Sequence, residues 1–269
     1  MSAEPWVCDL SPFNAVLRIS GDDAETFLQG QTTNDVKGLA VGQAQWNGWC
    51  TPKGRLLVTF ALARDASGFL MLLPSAFAEA TAKRLRMFVL RSKVVITDVS
   101  GELGRHGLWD GALPAGSFPI GEGRGLAFGA APAGRAATLD QWSLSLIRGG
   151  IVQVVPGTQE EFVPQMANWD LIGAVNFKKG CYPGQEIVAR TQYRGILKKR
   201  TARVATESPL APGNPVYCTA FGDQAAGMIA NAVKAPEGHW EGLVVAQIEA
   251  ISQQDLRLGD PAGPALRFL

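Results

Sequence analysis

From Asn176 to Gly195 the chain reads Asn-Phe-Lys-Lys-Gly-Cys-Tyr-Pro-Gly-Gln-Glu-Ile-Val-Ala-Arg-Thr-Gln-Tyr-Arg-Gly, and no other stretch is as dense in residues that packing alone leaves unexplained. Cys181 stands between Gly180 and Pro183-Gly184, where a strand is expected to end, turn and open a helix. Proline suits a first helical turn, and glycine lets the backbone approach a ligand closely. A thiol in that position faces the positive end of a helix dipole, a setting in which cysteines become nucleophilic. Cys181 is therefore a candidate reactive thiol. The plainer alternative is a buried small hydrophobe, the commonest fate of a free cysteine.

Partners for that thiol are scarce in the sequence. His106 and His239 lie in glycine-rich or loop-like contexts without a motif, so a Cys/His nucleophile pair is not supported. Cys8, Cys50, Cys181 and Cys218 are widely spread, which argues against a disulfide framework, a zinc site or a four-thiolate cluster, and no metal site is expected. If Cys181 touches an iron–sulfur cluster, a second protein supplies the other ligands.

Charge is concentrated in the same region. Seven basic residues (Lys178, Lys179, Arg190, Arg194, Lys198, Lys199, Arg200) face one acid, Glu186, for a local charge of +6 in a chain that totals +1. The run is either a solvated face or a site for an anion: a polycarboxylate tail, a phosphate or RNA. Aromatic interleaving is limited to Tyr182 and Tyr193, which is thin support for nucleic acid.

The elements that must position these residues follow from periodicity. Asn14 to Ser20 reads as a strand, followed by a short helix capped by Asp22 or Asp23 and carrying Phe27 and Leu28. Gln45 to Cys50 and Arg55 to Arg64 read as strands joined by Thr51-Pro-Lys-Gly54, with a further strand at Phe69 to Leu73. Pro74-Ser75 opens a helix to about Leu90 with Phe77, Leu85, Phe88 and Val89 on its inner face, and a strand covers Val94 to Asp98. Short strands and loops are expected over Gly101 to Ala137. Asp140 can cap a helix from Gln141 to Arg148, with Trp142, Ser145 and Leu146 inward and Gly149-Gly150 as its stop. Ile151 to Val155 and Val175 to Phe177 read as strands, and Ala167 to Ile172 as helical. After Gly195, strand-like runs divided by proline and glycine suit a small β-barrel or sandwich. The order of hairpins, helices and strands predicts an α+β architecture.

At 269 residues, with 46% hydrophobic and 18% charged residues, the chain excludes disorder and can hold two ordinary domains. No signal-peptide pattern opens it and no apolar run spans a bilayer, so the expected location is the cytoplasm, or an organelle matrix if the source is eukaryotic.

Lys179-Gly-Cys-Tyr-Pro-Gly-Gln-Glu186, continued by Ile-Val-Ala-Arg190 and Tyr193-Arg-Gly195, closely resembles the signature of the YgfZ family of folate-binding proteins, relatives of the glycine cleavage T-protein (aminomethyltransferase). The likeness extends to Phe162-Val-Pro-Gln165, Phe27-Leu-Gln-Gly-Gln31 with Asp35-Val36, Pro52-Lys-Gly-Arg55 and Arg91-Ser-Lys-Val94. It implies a T-protein-like ring of antiparallel-sheet and helix subdomains around a folate pocket, plus a C-terminal β-barrel. The expected division is 1–198, with two interleaved subdomains, and 199–269. It also implies tetrahydrofolate or a derivative as cofactor, iron–sulfur client or assembly proteins as partners, and a role in maintaining iron–sulfur enzymes, including tRNA-modifying ones. Cys181 is the implied functional thiol. The implied folate contacts are Trp142, Gln165, Lys179, Gly180, Tyr182, Gly184, Gln185, Glu186 and Arg190; Trp142 reads equally as a core aromatic.

Three departures from relatives stand out. T-proteins carry an aspartate pair after the glycine of their second hairpin, where this chain has Gly54-Arg-Leu-Leu-Val58, so glycine-cleavage chemistry lacks an evident general base. Arg148 stands where some relatives have an acid, and Asn14 where the family has a tryptophan. The leading expectation is a folate-binding accessory protein. The alternatives are a folate-dependent one-carbon transferase and an RNA-binding module, direct contact with tRNA being disfavoured by the near-zero net charge.

Overall fold

Runs of apolar residues bounded by glycine and proline fold into three sheets in the computed structural model, which describes residues 3–269. Strands and helices are numbered in chain order. The first sheet has the order β10-β1-β7-β9-β8, from β1 (Trp6–Asp9), β7 (Arg105–Trp109), β8 (Phe118–Gly121), β9 (Arg124–Phe128) and β10 (Arg135–Ala137). Its β1–β10 pair is parallel and the others antiparallel. The second sheet has the order β3-β4-β5-β2-β6, from β2 (Asn14–Ser20), β3 (Ala44–Cys50), β4 (Leu56–Asp65), β5 (Gly68–Pro74) and β6 (Val95–Asp98), all antiparallel. Strand β4 is buried from Leu56 through Ala63, as its almost unbroken apolar sequence requires.

The third sheet has the order β15-β12-β13-β14-β11-β16, from β11 (Lys199–Thr206), β12 (Pro215–Tyr217), β13 (Gly227–Lys234), β14 (Trp240–Gln247), β15 (Arg257–Leu258) and β16 (Arg267–Phe268). It curls on itself: Arg257 bridges Ala265, Leu258 N–H donates to the Pro264 carbonyl, and Leu266 N–H to that of Leu256. Val204, Ile229 and Val244 fill its own core, while Val233, Leu243 and Val245 join the core of the rest of the chain.

Helix α1 (Ala24–Gln29) buries Phe27 and Leu28. Asp23 sits at its N-cap, but its carboxylate accepts from the Lys93 N–H instead of capping the helix. Helix α2 (Ser75–Val89) turns Phe77, Ala78, Thr81, Ala82 and Leu85 inward at helical spacing. Phe88, expected on that face, is largely exposed and packs edge-on to Trp49. Helix α3 (Leu139–Arg148) is capped by Thr138, not Asp140. Thr138 Oγ1 accepts from Gln141 N–H at 3.2 Å while Gln141 Oε1 accepts from Thr138 N–H at 2.9 Å, a capping box that leaves Asp140 within the first turn. Helices α4 (Gln185–Tyr193) and α5 (Ile248–Gln253) follow, and among the described residues no helix is long and apolar enough to cross a membrane.

Three expected elements between α3 and α4 are absent. Residues 151–155 form no ladder because their N–H groups go to distant or local side chains: Gln153 to Asn231 Oδ1, Val154 to Thr59 Oγ1 and Val155 to Thr158 Oγ1. The 167–172 stretch is a series of turns, because Asn168 takes a positive φ of 57° and its side-chain amide donates to the Thr201 carbonyl. At 175–177 the backbone makes a single cross-link, Asn176 N–H to the Thr33 carbonyl, and is not a strand.

Candidate functional site

Two places hold the residues of interest, and they do not share a wall. The first is a cavity of about 410 Å³ between the ends of β2 and β5, helix α3, the 151–156 segment and strand β13. Trp142 forms part of its wall. The indole is 5% exposed, rests on Gly107, where a Cβ would come within 2.7 Å of the ring, and lies 5.5 Å from Trp109 between ring centres. Trp142 is thus both a core aromatic and a cavity wall.

Asn14 and Phe13 also line the cavity, on backbone that the buried Arg105 holds. Its guanidinium donates to the carbonyls of Asn14 at 2.7 Å, Ser11 at 2.9 Å and Ser100 at 2.6 Å, which ties the first sheet to the start of β2. Asn231, at a register shift in β13, accepts from Gln153 N–H at 2.8 Å and returns a bond from its amide to the Gln153 carbonyl at 2.9 Å. That clamp holds 151–155 against the third sheet, with Gln153 on the cavity. Asp140 and Ser143 add the remaining side-chain polar groups. Sequence reading missed Phe13, Gln153 and Asn231; the signal for Asn231 was an amide side chain interrupting an apolar strand.

Arg148 is not in the cavity wall. It forks onto Glu241 of β14, with Nη2 donating to Oε1 at 2.5 Å and Nε at 3.2 Å. Burial opposes the charge on Glu241, yet bonding and attraction from Arg148 hold its carboxyl below the usual range. The pair fastens the end of α3 to the third sheet.

The second place is the motif. Gly184 caps α4 from the left-handed region, with φ of 80°, and a Cβ there would lie 2.4 Å from the Thr51 carbonyl oxygen and 2.6 Å from the Gly54 Cα. The 51–54 turn and the start of α4 therefore meet backbone to backbone, which glycine permits. Cys181 is exposed in the loop before this contact, beside the open Gly180.

Lys179 points inward. Its Nζ donates to the carbonyls of Gln29 at 2.6 Å and Thr32 at 2.5 Å and lies 5.0 Å from the centre of the Tyr182 ring. Burial pushes its pKa down to about 8, against an upward pull from Asp35. Tyr182 is buried, and that burial, with the Cys50 thiol nearby, raises its own pKa. Gln165 is buried too: its amide donates to the Val188 carbonyl at 2.7 Å, and its backbone carbonyl accepts from Arg200, which is itself forked to Asp170. Gln185 donates to the Lys179 carbonyl, while Glu186 and Arg190 are exposed. None of these nine motif-region residues lines the Trp142 cavity.

The setting of Lys179 makes a stability prediction. Below about pH 8 both folded and unfolded chains carry the proton; between there and the unfolded value near 10.5 only the unfolded chain does, so rising pH favours the fold. Lys179→Met is expected to cost about 2–4 kcal/mol at pH 7.5, because two buried carbonyls lose their donor. The gap between the two proteins in urea unfolding should widen by about 1–2 kcal/mol by pH 9.5.

Comparison with known proteins fits this layout. No model of a known protein family matches the chain. A tRNA-modifying protein YgfZ of Vibrio vulnificus is 28% identical over 225 residues, covering 73% of this chain and 69% of its own length. A protein of the same name from Colwellia psychrerythraea is 29% identical over 229 residues, covering 73% and 70%. An uncharacterized protein of Haemophilus influenzae is 32% identical over 192 residues, covering 68% of each chain. The chain belongs to the YgfZ family. Among solved structures, the glycine cleavage aminomethyltransferase T of Bartonella henselae superposes with a TM-score of 0.73 over 99% of this chain and 85% of its own, at 14% identity. The YgfZ chain therefore shares the T-protein fold.

Arg55, which follows Gly54 in the turn, donates from Nη1 to the carbonyls of Glu160 at 3.2 Å and Glu161 at 2.7 Å. Among the described residues no group of three or more His, Cys, Asp and Glu side chains is placed to hold a metal ion.

Proposed function

We propose that the chain is a tetrahydrofolate-binding accessory protein that supports assembly or repair of iron–sulfur clusters, including those of tRNA-modifying enzymes, with Cys181 as its functional thiol. The observation that carries the folate half is that Trp142, the one of the nine implied folate contacts that lines it, shares a cavity with Asn14, where the family has another tryptophan. Apolar walls with a few fixed neutral polar groups suit a fused heterocycle, and the volume falls at the lower end of small-molecule sites. Trp142 and Ile151 offer apolar surface to such a ring, while Asn14, Ser143 and Gln153 offer donors and acceptors to its edge. Bound tetrahydrofolate would supply a reduced pterin able to carry one-carbon units. The ring of subdomains around this pocket and the division at residue 198 belong to the same reading.

Cys181 is the second half. It is exposed, unlike Cys8, Cys50 and Cys218, and the exposed residues of the surrounding sequence include Lys178, Arg190, Arg194, Tyr193 and Ile196. One thiol supplies one ligand, so a cluster contact takes its remaining ligands from a partner protein. Exposed aliphatic surface beside the cations favours a protein partner over tRNA. The transferase alternative has less support, since among the described residues the only ionisable side chain lining the cavity is the exposed Asp140. Calorimetric titration with tetrahydrofolate tests the reading: one-site binding is expected, and absence of binding removes the folate half.

A further inference from the structure

Among the described residues, none that walls the cavity assigned to folate is a cation. Asp140 is its one ionisable lining residue, and the other polar side chains, Asn14, Ser143, Gln153 and Asn231, are neutral. The basic run, whose charge suits a polycarboxylate, contributes nothing to the wall. Within it, Lys179 is spent on the Gln29 and Thr32 carbonyls and Arg200 on Asp170. The first turn of α3, with Leu139 and Asp140, lines the cavity, but its positive end is already answered by the Thr138–Gln141 capping box and by Asp140.

Resting on the folate reading, we infer that the site grips the pterin and aminobenzoyl rings as a neutral body, leaves the glutamate tail in solvent, and does not select poly-γ-glutamyl folates. Asp140 is the specificity residue, because each glutamate added to the ligand brings a negative charge towards its carboxylate, and no described residue of the wall supplies a cation to meet it. The repulsion acts through solvent at the rim, so it is small and screened by salt.

The test is calorimetric titration of the whole protein with tetrahydropteroate, tetrahydrofolate and tetrahydrofolyl pentaglutamate, which carry zero, one and five glutamates. The three affinities are expected to agree within about threefold at physiological salt, whereas one charge-assisted bond to the tail would separate them by about tenfold or more. Asp140→Asn is expected to raise affinity for the pentaglutamate over tetrahydropteroate by about twofold at low salt, with the difference gone in high salt. A pentaglutamate advantage of tenfold that falls with salt, or a tenfold loss for tetrahydropteroate, overturns the inference and leaves the folate reading standing. No binding by any of the three overturns both.

Discussion

Replacement of Cys181 by alanine is expected to reduce iron–sulfur enzyme activities, in a strain that depends on this protein, to the level of a deletion. The purified variant should meanwhile unfold within about 0.5 kcal/mol of the parent, as substitution of an exposed loop residue should. Tetrahydrofolate affinity should also be unchanged, because Cys181 does not line the Trp142 cavity. Cys181→Ser keeps the shape and loses the sulfur, and the same loss of function from it assigns the effect to thiol chemistry. The other cysteines cannot substitute. Burial, helped by Asp9, pushes the Cys8 thiol up to about 11, and burial alone pushes Cys50 up to about 12, so both stay protonated and inert at neutral pH. Thiol-reactive dye should accordingly label one cysteine quickly in the native protein and all four after unfolding. Retained enzyme activity in the alanine variant would falsify the assignment of the thiol.

Truncation of Trp142 to alanine is expected to act on both fold and ligand. The indole is almost fully buried against Gly107 and Trp109, and deleting such a side chain costs about 3–5 kcal/mol. It also removes a wall of the cavity, so tetrahydrofolate affinity should fall about 100-fold even where the protein remains folded. Trp142→Phe separates the two effects. It keeps a ring at the wall, and should retain most of the stability while losing about tenfold in affinity. Unchanged binding by the phenylalanine and alanine variants, both shown folded by circular dichroism, would place the folate elsewhere.

Much of the scaffold was legible locally. The limits of β2 follow from its apolar run and Gly21, the start of α4 from Pro183-Gly184, and the strands of the third sheet from proline and glycine spacing. Segments were misread where partners are remote. Residues 151–155 carry a strand pattern, but the N–H groups of Val154 and Gln153 are taken by Thr59, 95 positions earlier, and Asn231, 78 positions later, and that choice leaves no local trace. Asn168 is an ordinary helix residue until its amide finds the Thr201 carbonyl and its backbone turns left-handed.

The same reason governs the candidate site. A lysine beside a cysteine in a basic run reads as a cation for a ligand. In the fold Lys179 is an internal strut whose acceptors, Gln29 and Thr32, lie about 150 residues earlier. Trp142 and the motif were grouped through resemblance, and the folded chain separates them into a cavity and an exposed thiol loop. In the proposed reading the ligand takes the α3 cavity and a partner protein meets Cys181.

The most direct measurement is a crystal structure of the protein with tetrahydrofolate bound. The account predicts electron density for the pterin between Trp142 and Asn14, against Gln153 and Asn231, with the glutamate tail leaving past Asp140 into solvent. Density for the pterin at the Lys179–Cys181 loop, with the α3 cavity empty, would contradict it.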